Sequence, residues 1–384
     1  MRILLLLTSL GVGGAERQVV WLSQHLARRG HAVHLLVLLP RNEGDWPVET
    51  EPAKFDVTFL NIRKRPWSIL RGLARGAVEL RRFRPDLLHS HNFHGNLVGR
   101  LLGFVCGVPV ISTIHNVYEG GWQRMAAYGF TDALSRRTIA VSNAAHARYV
   151  RLRAVAARRA GVISNGIETA KFVPDADQRS RMRAAMGVAD RDFIWIAVGR
   201  LTPAKDYPNL LRAFARLPGA STPSSSTARI PDTRLWIAGY GNPDYEEDLR
   251  ALARELQIAP SIQWLGVRYD IPALLDAADG FVLSSAWEGM PLAMGEAMAM
   301  QKPVVATDVG GVRELAGKAG WLAPPGSPGA LAGAMEQVMA LSNGDRAQAG
   351  KAARIQVLES FGMEAKAQEW EDLYRTITHR TMIH

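Results

Sequence analysis

A single cysteine, Cys106, in 384 residues rules out an intramolecular disulfide and points to a reducing compartment. It lies behind the apolar run Leu101 to Val105 and beside Gly107, without the basic surroundings that activate a thiol, so a packing role is expected. Long apolar runs are also scarce. Ile3 to Leu7 is too short for the core of a secretion signal, and the glycines behind it suit a buried first strand entering a loop. Leu101 to Ile114 falls below the ~18 residues of a spanning helix and is interrupted by Gly103, Gly107 and Pro109. No His/Cys/Asp/Glu group has metal-ligand spacing; Asp175 and Asp177 come nearest, and solvation is their expected fate. The second apolar run also lacks the acidic residue that a dinucleotide fold needs at its end, since Leu39 leads to Pro40 and Arg41, which disfavours NAD.

What is present is the composition of a soluble globular chain, 47% apolar and 21% charged, at a length beyond the roughly 250–300 residues a single core sustains. Two domains are therefore expected. Short β-rich runs alternate with amphipathic stretches: Ile3 to Leu7, Ala15 to Arg29, Ala32 to Leu39, Leu87 to His89, Leu97 to Cys106, Pro109 to Ile114. A second series has strand candidates at Ile194 to Val198, Arg234 to Ala238, Ile262 to Leu265, Phe281 to Leu283 and Pro303 to Ala306. Helices are expected between them at Asn209 to Leu217, Tyr245 to Leu256 and Pro291 to Met300. This is the βαβ pattern of doubly wound parallel sheets, with a boundary near Gly166 to Asp177. Pro218 to Asp232, rich in Pro and Ser, reads as a mobile surface loop. The net charge of +10 is uneven: residues 1–170 hold 23 Lys and Arg against 11 Asp and Glu, and residues 171–384 hold 23 against 25. The first half is thus expected to meet an anionic partner. Its basic stretch, Arg63 to Trp67 followed by Arg71, Arg75, Arg81, Arg82 and Arg84, is accompanied by Ile69, Leu70 and Leu73 and suits a headgroup boundary.

In open parallel sheets ligands bind beyond the carboxyl ends of strands, so the loops there are the candidates. The turn Gly11 to Glu16, with Gly13 and Gly14, lets backbone amides approach a phosphate, although a purely structural turn fits equally well. Arg200 and Lys205 put two cations in the loop after Val198, which suits a diphosphate. Ser284 to Glu296 carries Glu288 in a loop and Glu296 on the helix beyond, with Pro291 fitting the first helical turn. Two carboxylates there suit the hydroxyls of a sugar and a ribose, and the amides around Met290, Leu292 and Ala293 suit an anion. His115 and Asn116 end another strand; a lone histidine in such a place is more often structural.

Together these segments resemble the large retaining glycosyltransferase family four, whose members have the GT-B fold. The resemblance runs through GVGGAERQVVWLSQHLARRGH, VSNAA at Val141 to Ala145, ISNGIETAKF, VGRLTPAKDYPNLLRAF, IAGYGNPDYEEDL, LGVRYDIPALLDAAD and SSAWEGMPLAMGEAMAMQKPVVATDVGGVREL. Glu288 through Glu296 matches that family's E-x7-E motif. The resemblance implies an α/β chain of GT-B type, with two Rossmann-like parallel-sheet domains facing across a cleft. Residues 1–170 would bind the acceptor, with a helix at about 361–384 packing back on them, and residues 171–360 would bind the donor. It implies that Glu288 contacts the donor sugar and Glu296 the ribose, that Arg200 and Lys205 hold the diphosphate, and that His115 lies across the sugar. Gly13, Gly14, Gly239, Val267, Arg268, Gly289, Met290, Pro291 and Leu292 would border the donor, and Gly14, Asn116 and Asn143 the acceptor.

The expected activity is retaining, metal-independent hexosyl transfer from a nucleotide sugar, a UDP-sugar before a GDP-sugar, to a lipid-linked or polysaccharide-precursor glycan. The nucleotide sugar is a substrate and no cofactor is expected. A nucleic-acid partner is not expected; a cytoplasmic protein, peripheral on an anionic membrane surface, is. A sugar-nucleotide epimerase, a phosphorylase of the same fold and a silent nucleotide-sugar binding protein are the alternatives, although no signature of a pyridoxal lysine supports the phosphorylase.

Overall fold

The computed structural model describes residues 1–11, 13–42, 55–220 and 232–381. The chain divides into two compact units, one of residues 1–166 with 363–384 and one of residues 167–362. The elements of the first are β1 (Arg2–Leu7), α1 (Gly14–Arg28), β2 (Ala32–Val37), β3 (Asp56–Phe59), α2 (Pro66–Phe83), β4 (Leu87–His91), α3 (Phe93–Cys106), β5 (Val110–Ile114), α4 (Trp122–Thr131), β6 (Arg137–Ala140), α5 (Asn143–Arg151) and β7 (Ala160–Val162). The second holds α6 (Ala176–Ala185), β8 (Phe193–Val198), α7 (Tyr207–Phe214), β9 (Thr233–Ala238), α8 (Pro243–Glu255), β10 (Ile262–Gly266), α9 (Ile271–Ala277), β11 (Gly280–Leu283), α10 (Leu292–Ala299), β12 (Val304–Thr307), α11 (Val312–Ala316), β13 (Gly320–Ala323), α12 (Pro328–Ala340) and α13 (Asn343–Ser360). The chain then returns to the first unit as α14 (Met363–Thr381).

The first unit has a seven-stranded sheet of order β3-β2-β1-β4-β5-β6-β7, and the second a six-stranded sheet of order β10-β9-β8-β11-β12-β13. All strand pairings are parallel. Strands covered by helices on both faces read as unbroken apolar runs, and Ile3 to Leu7, all buried, is such a strand. Leu4, Leu36, Leu88 and Val110 of the first sheet pack with Leu80 of α2 and Leu102 of α3. In the second unit Trp195, Leu235, Val282 and Val305 pack with Leu210, Phe214, Leu331 and Met335.

Several expectations change. Periodicity missed the short strands β3, β6, β7 and β13, which have three or four residues each and leave little pattern to read. Leu73 packs against the core beside Leu80 instead of joining the exposed face of α2. Pro291 is the N-cap of α10, one residue before the first turn. Cys106, half-buried at the end of α3, keeps the packing role expected of it, against the core of the first unit. Asp175 and Asp177 are exposed, as expected, and Asp175 also caps α6, accepting from the amides of Asp177 (3.0 Å) and Gln178 (3.1 Å). Of the loop expected at Pro218 to Asp232, residues 221–231 lie outside the described residues, as do Val12 in the first glycine turn and residues 43–54.

α14 is clasped to α1 by charges that range from buried to exposed. Arg29 donates Nε to Glu371 at 2.7 Å and Nη1 to Glu364 at 2.6 Å, and His25 Nδ1 lies 2.8 Å from Glu364 Oε2. Glu371 is 3% exposed, while the Glu364 side chain is 66% exposed. Burial strengthens an ion pair's mutual attraction and raises the cost of leaving one partner alone. Glu371→Ala should therefore cost about 1–3 kcal/mol. Glu364→Ala should cost about 1 kcal/mol or less. Urea midpoints of the two variants measure this, and equal losses would contradict the reading of a buried anchor with an exposed companion.

Candidate active site

In the second sheet the chain runs outward from β8 through β9 to β10 on one side and from β11 through β12 to β13 on the other. The loops after β8 and β11 therefore part company, and ligands of open α/β sheets bind where strand order reverses in this way. Lys205 stands in the first of these loops and Glu288 in the second. Lys205 Nζ donates to Glu288 Oε1, forming an ion pair in which the carboxylate is 10% exposed and the ammonium 22%. Ser285 Oγ donates to the same Oε1 at 2.6 Å.

Backbone contacts hold the two loops in register. The Ala286 amide donates to Ala204 O at 2.9 Å, and Ser284 Oγ donates to Lys205 O at 2.8 Å. Thr307 Oγ1 donates to Ser285 O at 2.6 Å, and the Gly311 amide to Gly289 O at 2.8 Å, which ties the Glu288 loop to β12 and to the start of α11. On the other side Tyr207 Oη donates to Gly199 O at 2.9 Å, and the Leu201 amide to Tyr240 O at 2.7 Å. A Cβ on Gly239 would sit 1.9 Å from Gly199 O, so only glycine lets these loops meet. The Gly239 amide donates in turn to Gly266 O at 2.8 Å, bringing in the turn that carries Val267 and Arg268.

Arg200, Lys205, Gly239, Val267, Arg268, Glu288, Gly289, Met290, Pro291 and Leu292 thus share the carboxyl edge of one sheet. Arg200 is exposed, and Arg268 makes a forked pair with Asp270, Nε to Oδ1 at 2.7 Å. Glu296 lies one turn into α10 and is wholly buried; α10 is buried from Leu292 to Ala299 apart from half-buried Ala293. Sequence reasoning missed Ser285, which bonds the Glu288 carboxylate from within the same loop, and Tyr207 and Thr307, which bond carbonyls of the two loops.

In the first unit His115 and Asn116 follow β5, Asn143 is exposed at the start of α5, and Gly13 and Gly14 begin α1 after β1. His115 is joined to residues that sequence reasoning did not select. His91, at the end of β4, has Nδ1 3.0 Å from His115 Nε2. The His115 amide donates to Glu119 Oε1 at 3.3 Å, and Tyr128 Oη donates to Glu119 Oε2 at 2.6 Å while accepting from Asn96 Nδ2 at 3.0 Å. Burial lowers the His115 pKa to about 4 and holds His91 well below the ordinary imidazole range, so both rings are neutral near pH 7. Burial also raises the Glu119 carboxyl to about 7, against the opposing bonds from Tyr128 and His115. The sequence signal that existed was His89-Ser-His91, where the period-two strand puts both imidazoles on one face; their rings stack at 4.0 Å.

Two parallel-sheet α/β units with this loop set define the GT-B class of fold. Residues 178–356 match the family model "Glycosyl transferases group 1", and residues 12–171 match "Glycosyltransferase Family 4". Between them these two glycosyltransferase models span most of the chain, each covering less than half of it, and the fold is of the GT-B class. Among curated proteins it is 28% identical over 241 residues to an Escherichia coli UDP-Gal:alpha-D-GlcNAc-diphosphoundecaprenol alpha-1,3-galactosyltransferase, an alignment spanning 60% of each chain. It is also 28% identical to a D-inositol 3-phosphate glycosyltransferase of Kribbella flavida, over 95% of this chain and 91% of the relative. Among solved structures, that of Anabaena Alr3699/HepE in complex with UDP and glucose superposes with a TM-score of 0.86 at 22% identity, covering 98% of this chain and all of that one.

The Glu119 network gives a pH test. A carboxyl raised from 4.5 to about 7 stabilises the fold fully below pH 4.5, and this contribution is lost as pH rises through 7, where a partly buried charge must form. Gln offers one acceptor instead of two and costs a hydrogen bond at every pH, but it never ionises. The melting temperature of Glu119→Gln should therefore gain on that of the parent between about pH 5 and about pH 9; parallel profiles would show that Glu119 does not titrate as described.

Proposed function

We propose that the protein is a retaining glycosyltransferase that moves a hexosyl group from a UDP-sugar, held mainly by residues 167–362, to a lipid-linked or polysaccharide-precursor glycan. The observation that carries this reading is the Lys205–Glu288 pair at the strand-order reversal of the second sheet, with Glu296 on the helix that follows. An ammonium has three protons, and its contact with Glu288 takes one, so Lys205 has donors left for a diphosphate. Arg200, exposed in the same loop, adds a planar fork suited to phosphate oxygens. As the glycosidic bond breaks, negative charge grows on the departing diphosphate, and fixed cations already in place stabilise it without reorganisation. In this reading no metal ion is required.

Glu288, held by Lys205 and Ser285, accepts from donor-sugar hydroxyls, and Glu296 serves the ribose. His115 is assigned to the sugar near its reacting carbon. The acceptor oxygen attacks the face from which the diphosphate leaves, and the departing phosphate takes its proton. The UDP preference is supported by the galactosyltransferase named for UDP-Gal and by the structural neighbour with UDP and glucose. The diphosphoundecaprenol in the name of that same relative supports a lipid-linked acceptor.

If the parent is incubated with a panel of nucleotide sugars and acceptors, product should form in excess EDTA with the donor's anomeric configuration kept, as read by NMR. Glu288→Gln and Lys205→Met should each lower turnover by about 10²–10³-fold while remaining folded. Glu296→Gln should chiefly weaken donor binding. Inversion at the anomeric carbon would overturn the retaining assignment, and near-parent turnover in both site variants would remove the site. Conversion of the donor without any acceptor would point to an epimerase.

The same reading places the first unit on an anionic membrane surface. Trp67, Ile69, Leu70 and Val78 of α2 are exposed, Trp67 at 77%, and so are Arg63, Lys64, Arg65, Arg71, Arg75, Arg81, Arg82 and Arg84. Among the described residues no helix is long and apolar enough to cross a membrane, and an amphipathic basic helix needs only to lie at the headgroups. Each cation contributes about 1 kcal/mol near such a surface, in a salt-dependent way. Liposome sedimentation should show binding to anionic vesicles at low salt that is lost at high salt. Equal binding to neutral vesicles would contradict the electrostatic part, and no binding to either would favour a soluble acceptor.

A further inference from the structure

The His91–His115 contact uses one nitrogen of each ring, and the other two, His91 Nε2 and His115 Nδ1, are buried without a hydrogen-bond partner. Buried polar atoms are rarely left this way, and those that are call for an explanation. A neutral imidazole carries one proton on its two nitrogens. In the contact one ring must donate and the other accept. If His91 Nδ1 holds the proton, His115 Nε2 is the acceptor and His115 Nδ1 carries N–H. If His115 Nε2 holds it, His115 Nδ1 is bare. In both cases the contact commits Nε2 and makes Nδ1 the only ring nitrogen that His115 can offer to another molecule.

The partner ring is itself fixed. His91 is 2% exposed and stacks on His89, whose Nδ1 lies 2.7 Å from Tyr374 Oη and whose Nε2 lies 2.6 Å from Thr113 Oγ1. On the other side the His115 backbone is tied through its amide to Glu119, and Glu119 to Tyr128. His115 is thus gripped at its main chain by Glu119 and at its ring by His91, and Nδ1 is left over.

We propose that His91 is a positioning residue for His115: its Nδ1 holds His115 Nε2, fixes the ring's orientation, and reserves His115 Nδ1 for a hydroxyl of the sugar being transferred or of its acceptor. This rests on the role given to His115 in the proposed glycosyl transfer. A hydroxyl donates and accepts, so it satisfies Nδ1 in either tautomer. The pair remains uncharged throughout, so no cation competes with the developing positive charge at the sugar.

The test uses the full-length chain and the variants His91→Leu, His91→Asn and His91→Gln. An asparagine amide reaches the place of Nδ1, a glutamine amide that of Nε2, and leucine neither. Misplacing a group by about 1 Å can cost about 10²-fold in rate, so His91→Leu and His91→Gln should lose about that much kcat with little change in donor KM, and His91→Asn should recover most of it. Independently of activity, long-range 1H–15N NMR should show the His115 Nε2 resonance move in His91→Leu and return towards the parent in His91→Asn. Parent-like kcat in His91→Leu, or recovery by Gln rather than Asn, would overturn the proposal. If the parent transfers no sugar from any nucleotide donor, the proposed function falls; the His115 resonance then decides the pairing alone, and an unmoved Nε2 signal in His91→Leu rejects it.

Discussion

Parallel pairing is the constraint from which the rest follows. It sends every strand-to-helix loop of a sheet to the same edge, and the reversal of strand order then selects which of those loops diverge. In the second unit the divergence falls between β8 and β11, so a lysine and a glutamate 83 residues apart in the chain meet as a partly buried ion pair. The glycines nearby serve the same geometry. Gly239 allows a carbonyl of the neighbouring loop to come closer than any side chain would permit, and Gly241 does the same for Leu201 O, from which its Cβ would be 2.2 Å.

Such a pair is poor value as a source of stability, because removing two charges from water costs about what their attraction returns. Its worth is in position. Ser285 on the same carboxylate oxygen and the backbone bond tying Ala286 to Ala204 fix both charges in place, so in the proposed function neither has to reorganise for a charged ligand. Glu296 carries the same logic further, since a carboxylate on an otherwise apolar helix, wholly buried, runs against everything that favours burial.

The first unit solves its polar problem differently. Its sheet edge gathers three imidazoles that burial holds below their ordinary range, a carboxyl held above its own, and hydroxyls from Tyr128, Thr113 and Tyr374. Deeper in the same unit the buried Arg100 is satisfied by Ser112 Oγ, Tyr128 O, Thr131 Oγ1 and Thr138 Oγ1. α14 belongs to this network as much as to the clasp on α1, since it supplies Tyr374 to His89 and stacks Trp370 on the same ring at 4.4 Å. The unit 1 edge is therefore largely neutral where the unit 2 edge is charged.

The sequence by itself determined the class of fold, because apolar runs such as Ile3 to Leu7 and Ile194 to Val198 alternate with amphipathic stretches and β-pattern and helix-pattern are local properties of the chain. It also determined most of the charged loop residues, since Arg200, Lys205 and Glu288 all stand just after strand candidates. It could not supply what burial decides. That Leu73 turns to the core while Leu70 stays exposed, that Lys205 is partnered by Glu288, and that His115 is partnered by His91 and Glu119 are outcomes of strand order and helix docking. Those contacts join residues from separate strands, and burial sets the protonation of the rings and carboxyl they contain. Only the tertiary structure decided these, because the free energy of a polar group depends on which groups surround it once water is gone, and sequence spacing does not record that.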